Sequence, residues 1–383
     1  MVLFKCFFYA HWQLLKLLLA APRALLDHGW GCVPKRAVIF VVFFPLFWLL
    51  CILHFIGFAL DALLFPGWRR QRVERPVFIV GVPRSGTTFL HRFLAQDARF
   101  SFTPMWEALL APSIVEKIIW RGLLKLLSPL LRISHRLAPA FFSQMDGVHK
   151  LGLNEAEEDF LFLLPLNASF ILVALFPNNQ QLWRLTRFDW DMPAWEQRLI
   201  GQFYYACVAK HLYFKTRWCG LVAPIYLAKN PSFATWVETL AKQFGDAGFV
   251  ICLREPEVVL PSQIRSLLPA FALLGSGRCP DYFNERCTVM LADYYRHLMA
   301  FKRRVANTPI VMNETLRHHL PSVLQTIYQS IHVTEDAALI AKATVYLSGV
   351  EPSKAPRDYR LEELNLSAQS IQLAFKDVWP VNV

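Results

Sequence analysis

The chain has 383 residues, 55% of them hydrophobic and 18% charged, with 40 Lys plus Arg against 29 Asp plus Glu and a formal charge of +11. This composition excludes a disordered chain, and a mean hydropathy of +0.31 asks for a segment that prefers lipid to water. The basic excess suits anionic partners; without an Arg/Lys run interleaved with aromatics, or a zinc-finger or RNP-like pattern, the expected anion is a nucleotide phosphate or an acidic lipid surface and not nucleic acid.

In chain order, the stretch FKCFFYAHWQLLKLLLAAPRALL spaces Lys5, Lys16 and Arg23 among Leu and Phe, which predicts an amphipathic interfacial helical segment over residues 1–36. No small-residue cleavage site follows a compact apolar core, so the segment is expected to be retained and not removed as a signal peptide. Residues Ala37 to Phe65 are almost entirely apolar, with His54 and Asp61 the strongly polar members. Such a run also suits a buried core helix. Its length and its flanking Lys35-Arg36 and Arg69-Arg70 favour a transmembrane or membrane-embedded helix over 37–66. Basic residues on both sides leave its orientation open and fit a re-entrant or in-plane anchor.

After Arg75 the pattern changes to short β runs between longer helical stretches, as an α/β domain requires, and residues 75–383 read as one domain. Val77 to Val82 and Gly248 to Leu253 are buried-strand candidates, each ending in a polar turn and followed by a helix, Thr88 to Gln96 in the first case and Glu257 to Leu268 in the second. Trp120 to Phe142, Ser232 to Phe244, Asp281 to Val305 and Leu320 to His332 are further predicted helices. The eight cysteines include no CxxC pair and no His/Cys spacing suited to zinc, so no metal site is expected.

The segment Gly81-Val82-Pro83-Arg84-Ser85-Gly86-Thr87-Thr88 follows a predicted strand and opens a predicted helix. In that arrangement backbone N–H groups and the helix N-terminus receive phosphate. A nucleoside-triphosphate loop carries Lys directly after its second Gly, but here Thr87 stands at that position and a positive charge lies inside the loop at Arg84. Farther on, Arg254 ends the Gly248 to Leu253 strand, and Ser262 follows it by eight residues, about two helical turns. Lys229 precedes a turn at Asn230-Pro231.

These elements resemble the sulfotransferases that use 3'-phosphoadenosine 5'-phosphosulfate (PAPS), whose 5'-phosphosulfate loop reads PxxGTT; the PRSGTT form belongs to the branch often labelled sulfotransferase family 3. The resemblance runs from about Pro76 to Phe375 and is weakest between Leu110 and Gly220. It implies that Pro83, Arg84, Ser85, Gly86, Thr87 and Thr88 bind the donor's phosphosulfate and that Arg254 and Ser262 bind its 3'-phosphate. It also gives Lys229 a donor-side role. The chain departs from the family pattern twice, with Arg-Glu-Pro where Arg-Asp-Pro is usual and Asn230 where Ser is usual. PAPS is therefore the expected donor, with no metal.

Attack of an acceptor hydroxyl on sulfur needs a base at that hydroxyl and positive charge over the leaving phosphate, the latter assigned to Arg84. For the base, Glu158 and His149 lead, because the family branch often shows a His followed by an acidic pair before an apolar helix; Glu107 is the reserve. A helix N-terminus decorated with carboxylates would explain the Glu155, Glu157, Glu158, Asp159 cluster almost as well.

The expected fold is α/β, a P-loop-like parallel sheet flanked by helices, preceded by an N-terminal membrane-associating helical segment. The expected partners are the lipid bilayer and a small-molecule or lipid-like acceptor with a hydroxyl or amine, because only about ten residues separate the apolar run from the first strand. Two alternatives remain: a P-loop kinase or NTPase acting on a small molecule, and a membrane or lipid-binding protein without catalysis. A domain facing the cytoplasm is expected, with a Golgi lumenal domain, which the sequons at Asn167, Asn313 and Asn365 fit, as the alternative.

Overall fold

Five short runs rich in Val, Ile, Leu and Phe pair into one parallel sheet: β1 (Val77–Gly81), β2 (Phe100–Ser101), β3 (Ile225–Lys229), β4 (Gly248–Leu253) and β5 (Ile310–Met312). This computed structural model describes residues 2–26, 30–137, 156–274, 281–349 and 361–379. The strand order is β2-β3-β1-β4-β5. The strands are apolar on both faces, as a sheet covered on both sides requires. Because the chain leaves β1 for one side and later crosses to β4 on the other, the sheet has its switch point at β1, where open α/β sheets bind ligands beyond the strand C-termini.

The two faces bury separate cores. Val77, Ile79, Leu227, Val250 and Cys252 pack against α3 (Thr87–Leu94), which returns from β1. The other face, through Phe78, Val80, Ala228, Phe249 and Ile251, meets the larger group of helices. That group comprises α1 (Val2–Leu26) and α2 (Val33–Leu64), with α4 (Met105–Leu110) and α5 (Ile114–Leu137) beside them. It continues through α6 (Ala194–Cys219), α7 (Val237–Gln243), α8 (Pro256–Leu273) and α9 (Asp281–Arg304). After β5, α10 (Asn313–His318), α11 (Leu320–Ser330) and α12 (Ala337–Ser348) complete the α3 side.

Most predicted elements are present with shifted ends. The Val77 to Val82 strand ends at Gly81, and its helix starts one residue early at Thr87. The predicted Glu257 to Leu268 helix runs on to Leu273 through Pro261 and Pro269. Ser232 to Phe244 instead divides into a 3₁₀ turn, Pro231–Phe233, and α7, because the turn must first bring the chain back over the end of β3.

The N-terminal helices are built into this fold. Asp61, fully buried on α2, accepts from the first backbone N–H groups of α5, Ile114 at 3.0 Å and Val115 at 2.9 Å. It also pairs with Lys210 of α6 at 3.1 Å. One carboxylate thus caps one helix and neutralises a buried cation on another.

Candidate functional site

Three chain segments meet at the C-terminal ends of β1, β3 and β4. Gly81 and Gly86 allow the β1 loop to turn: their φ angles are +152° and +94°. A Cβ at Gly81 would lie 2.1 Å from the Cys252 carbonyl oxygen, and one at Gly86 would lie 2.8 Å from Asn313 Nδ2 and Leu316 Cδ2. Glycine is therefore required at both by backbone conformation and by space. Val82 N–H continues the ladder to the Cys252 carbonyl at 3.1 Å, and Ser85 Oγ donates to the Val82 carbonyl at 2.6 Å, so the Ser85 hydroxyl braces the loop from within. Arg84, at the tip, is exposed and adopts φ +65°, a left-handed conformation uncommon for a residue with a side chain.

The second segment holds the first. Arg84 Nε donates to Ser262 Oγ of α8 at 3.1 Å, and Arg254 Nη1 donates to the Arg84 carbonyl at 3.2 Å. Arg254 is fixed from behind by Tyr295 of α9, whose hydroxyl donates to its carbonyl at 2.5 Å. Arg84, Arg254 and Ser262, read from separate stretches of sequence, thus form one hydrogen-bonded cluster beside the N-terminus of α3.

Lys229 ends β3, in register with Ile79, and is buried. Its Nζ donates to Glu158 Oε1 at 3.0 Å and lies 3.7 Å from Glu157 Oε2. Glu158 is held there by its neighbour. Asp159 is buried and accepts from Tyr204 at 2.7 Å, from Tyr226 and from Asn230 Nδ2. Burial raises its pKa against the pull of those hydrogen bonds. Asn230 completes the clamp by accepting the Phe160 N–H through Oδ1 at 3.0 Å. A serine hydroxyl has no separate amide donor and carbonyl acceptor with which to bridge both groups, which gives a physical reason for Asn230 in this chain.

The remaining expected residues lie as follows. Pro83 is half-buried in the loop, Thr87 is buried at the first turn of α3, and Thr88 is half-buried beside it. Glu107 of α4 is buried with both oxygens engaged, Oε2 by His211 Nδ1 at 2.9 Å and Oε1 by Lys215 at 2.9 Å. Burial works to raise its pKa, but the His211 hydrogen bond and the Lys117 and Lys215 charges hold it far below the usual range. It borders a cleft of about 400 Å³ with Trp106, Arg121 and Lys215. His149 and Glu155 lie outside the described residues.

Sequence reasoning did not find Tyr295, Asn313 or the Asp159–Asn230 clamp. Asn230 alone carried a signal, as a departure from the family pattern. Two sequons are internal: Asn167 is buried and donates to the Ala10 carbonyl at 3.0 Å, and Asn313 is buried against Gly86. Only Asn365 of the three is exposed.

The chain is 24% identical over 282 residues to the omega-hydroxy-beta-dihydromenaquinone-9 sulfotransferases Stf3 of Mycobacterium bovis and Mycobacterium tuberculosis, covering 72% of this chain and 67% of each relative. Among solved structures, the sulfotransferase STF1 of Mycobacterium tuberculosis superposes with a TM-score of 0.66 at 17% identity, over 95% of this chain and 91% of that one. The sulfotransferase STF9 of Mycobacterium avium gives 0.63 at 16% identity, over 84% and 80%. At these identities the structures establish a shared fold. The sulfotransferase family profile matches residues 76–336, which span the β1 loop, Lys229, Arg254 and Ser262. With more than half its length inside that match, the chain belongs to the sulfotransferase family and is an enzyme of the transferase class.

Proposed function

We propose that this enzyme moves a sulfuryl group from PAPS to a hydroxyl on a lipid-like acceptor resident in the membrane. The observation that carries the donor assignment is the Arg84–Ser262–Arg254 cluster, which gathers two guanidinium groups and a hydroxyl beside the glycine loop and the α3 N-terminus. That set fits a donor with anionic groups at both its 5' and 3' positions. The loop N–H groups and Arg84 would hold the phosphosulfate, and Arg254 with Ser262 the 3'-phosphate. Thr87, where a triphosphate loop has Lys, speaks against an ATP-using reaction.

In the transfer, the acceptor oxygen forms a bond to sulfur as the bond from sulfur to the phosphate oxygen breaks. The electron pair leaves on that phosphate, giving 3'-phosphoadenosine 5'-phosphate (PAP), and the acceptor's proton passes to a base. Glu158 is the proposed base, partly exposed and fixed at the strand ends by the Asp159–Asn230 clamp. Lys229 beside it carries positive charge toward the transferring group. His149 is the second candidate and Glu107 the third, the latter weakened by its two hydrogen bonds.

The lipid-like acceptor is supported by the apolar N-terminal helices and by the menaquinone named for the mycobacterial relatives. With Asn167 and Asn313 buried in the fold, two of the three sequons lend no support to a Golgi lumenal domain, which leaves the cytoplasmic face as the proposed one. Calorimetric titration with PAP beside ATP tests the donor. Tight PAP binding that weakens by about tenfold or more in Arg254→Ala and in Ser262→Ala is expected, about 1.4 kcal/mol each or more. ATP binding equal to that of PAP would refute it.

A further inference from the structure

Both N-terminal helices are long and apolar enough to cross a membrane, yet the residues they bury are arranged in a way that a span does not allow. On α2 the buried positions Arg36, Phe40, Phe47, Cys51, Phe58 and Asp61 form one stripe along almost the whole helix. Both ends of that stripe are fastened to the rest of the protein. Near the start, the buried Arg36 donates to the carbonyls of Leu175 at 2.8 Å and Leu274 at 3.4 Å, and Lys35 donates to the Ala272 carbonyl at 3.0 Å. Near the end, His54 Nδ1 contacts Glu116 at 2.7 Å, and Asp61 holds α5 and Lys210.

From Arg36 to Asp61 the helix rises about 38 Å, more than the roughly 30 Å of a bilayer's hydrocarbon core. If α2 crossed the membrane, the water-facing domain bonded to both of its ends would have to cross with it. The opposite stripe is bare: Val41 is 73% exposed and Leu63 76%, and on the neighbouring α1, Phe4, Phe8 and Trp12 are exposed at four-residue spacing, with Leu19, 72% exposed, two turns further along the same face. On α5, packed against α2, Ile119 is 60% exposed.

We propose that the enzyme is monotopic: α1 and α2 lie in the plane of one leaflet, their bare stripes and that of α5 buried in lipid, and neither helix spans. The charge around the stripes selects a bilayer with anionic headgroups over a second copy of this chain. Residues 1–73 hold eight Lys and Arg, six of them at positions 5, 16, 23, 69, 70 and 72, besides the Lys35-Arg36 pair that binds the domain, against Asp27 and the buried Asp61. Two such surfaces would repel each other, whereas each basic side chain near an anionic leaflet adds attraction. This assignment does not depend on the donor or the acceptor.

Site-directed labelling with a membrane-impermeant maleimide tests it on the full chain, in right-side-out and inverted membrane vesicles, with Cys32, Cys219 and Cys279 replaced by serine. Gly31→Cys reports the turn between the helices, where an added Cβ meets no atom of the described residues within 4 Å. Arg72→Cys reports the end of the segment, and Val222→Cys, at a position 91% exposed, reports the catalytic domain. All three are expected to react from the same side. Reaction of the Gly31 position from the opposite side, or from neither side while the other two react, would overturn the proposal.

A second measurement uses purified protein and flotation with vesicles of phosphatidylcholine mixed with phosphatidylglycerol, beside phosphatidylcholine alone. Flotation favouring the anionic vesicles, and its loss in the triple variant Trp12→Asp, Val41→Asp, Trp48→Asp with PAP binding retained, is expected. Unchanged flotation of the triple variant, or a stable dimer that does not float, would give the face to another occupant.

Discussion

At the scale of single residues, the site divides into positions fixed by backbone and positions chosen for charge. Gly86 belongs to the first kind. Gly86→Ala places a Cβ at φ +94° and 2.8 Å from Asn313 and Leu316. It is expected to cost about 1–3 kcal/mol of stability and to weaken PAP binding, read by denaturant unfolding and calorimetry. Glu158 belongs to the second. Glu158→Gln keeps a hydrogen-bonding oxygen for Lys229 but removes the proton acceptor, so turnover is expected to fall about 10²-fold or more while PAP still binds. Equal turnover would pass the base to His149, tested by His149→Asn. Arg84, Arg254 and Ser262 were legible in the sequence because fixed spacings after two predicted strands carry them, and Lys229 was legible only through the family resemblance of the step before Asn230-Pro231. Tyr295 was not, since a tyrosine in the middle of α9 looks the same in sequence whether or not its hydroxyl holds a carbonyl 41 positions away.

At the scale of elements, legibility follows the length and purity of the apolar run. β1 and β4 were readable because five or six apolar residues end in a polar turn. β2 has two residues, and β5 three, too short to leave a periodic signal. Helix α6, with 26 residues, was missed for another reason. Its inner face mixes Glu196, Lys210 and His211 with Leu and Phe, and their partners Tyr9, Asp61 and Glu107 come from far along the chain. Asp61→Ala tests that interdependence. It removes the cap of α5 and strands a buried Lys210, whose pKa burial already lowers. A loss of about 3–5 kcal/mol in the free energy of unfolding is expected from denaturant titration. Asp61→Asn, which retains an acceptor for the α5 N–H groups, is expected to cost less.

At the scale of the whole molecule, two buried histidines set the response to acid. Burial lowers His211 to about 4, against the pull of Glu107, and burial with the Lys229 charge lowers His91 to about 3. Both are therefore neutral in the fold and protonate in the unfolded chain near pH 6.5, so the unfolded state binds more protons as pH drops. Stability should be full above about pH 6.5 and fall toward about pH 4, each histidine contributing up to about 1.4 kcal/mol per pH unit. Thermal unfolding at about pH 7 and about pH 5 measures this. A His211→Gln variant should show a shallower decline, whereas equal melting temperatures for the parent at both values would contradict it. Asp61, finally, bears on how this enzyme is handled at the bench. Trimming the N-terminal helices to obtain a soluble catalytic fragment would leave Lys210 without its counter-charge, α5 without its cap and the apolar side of α6 open to water. What resembles a detachable anchor is one wall of the enzyme's interior, so a fragment starting after Arg72 should aggregate, and detergent extraction of the full chain is the route to active protein.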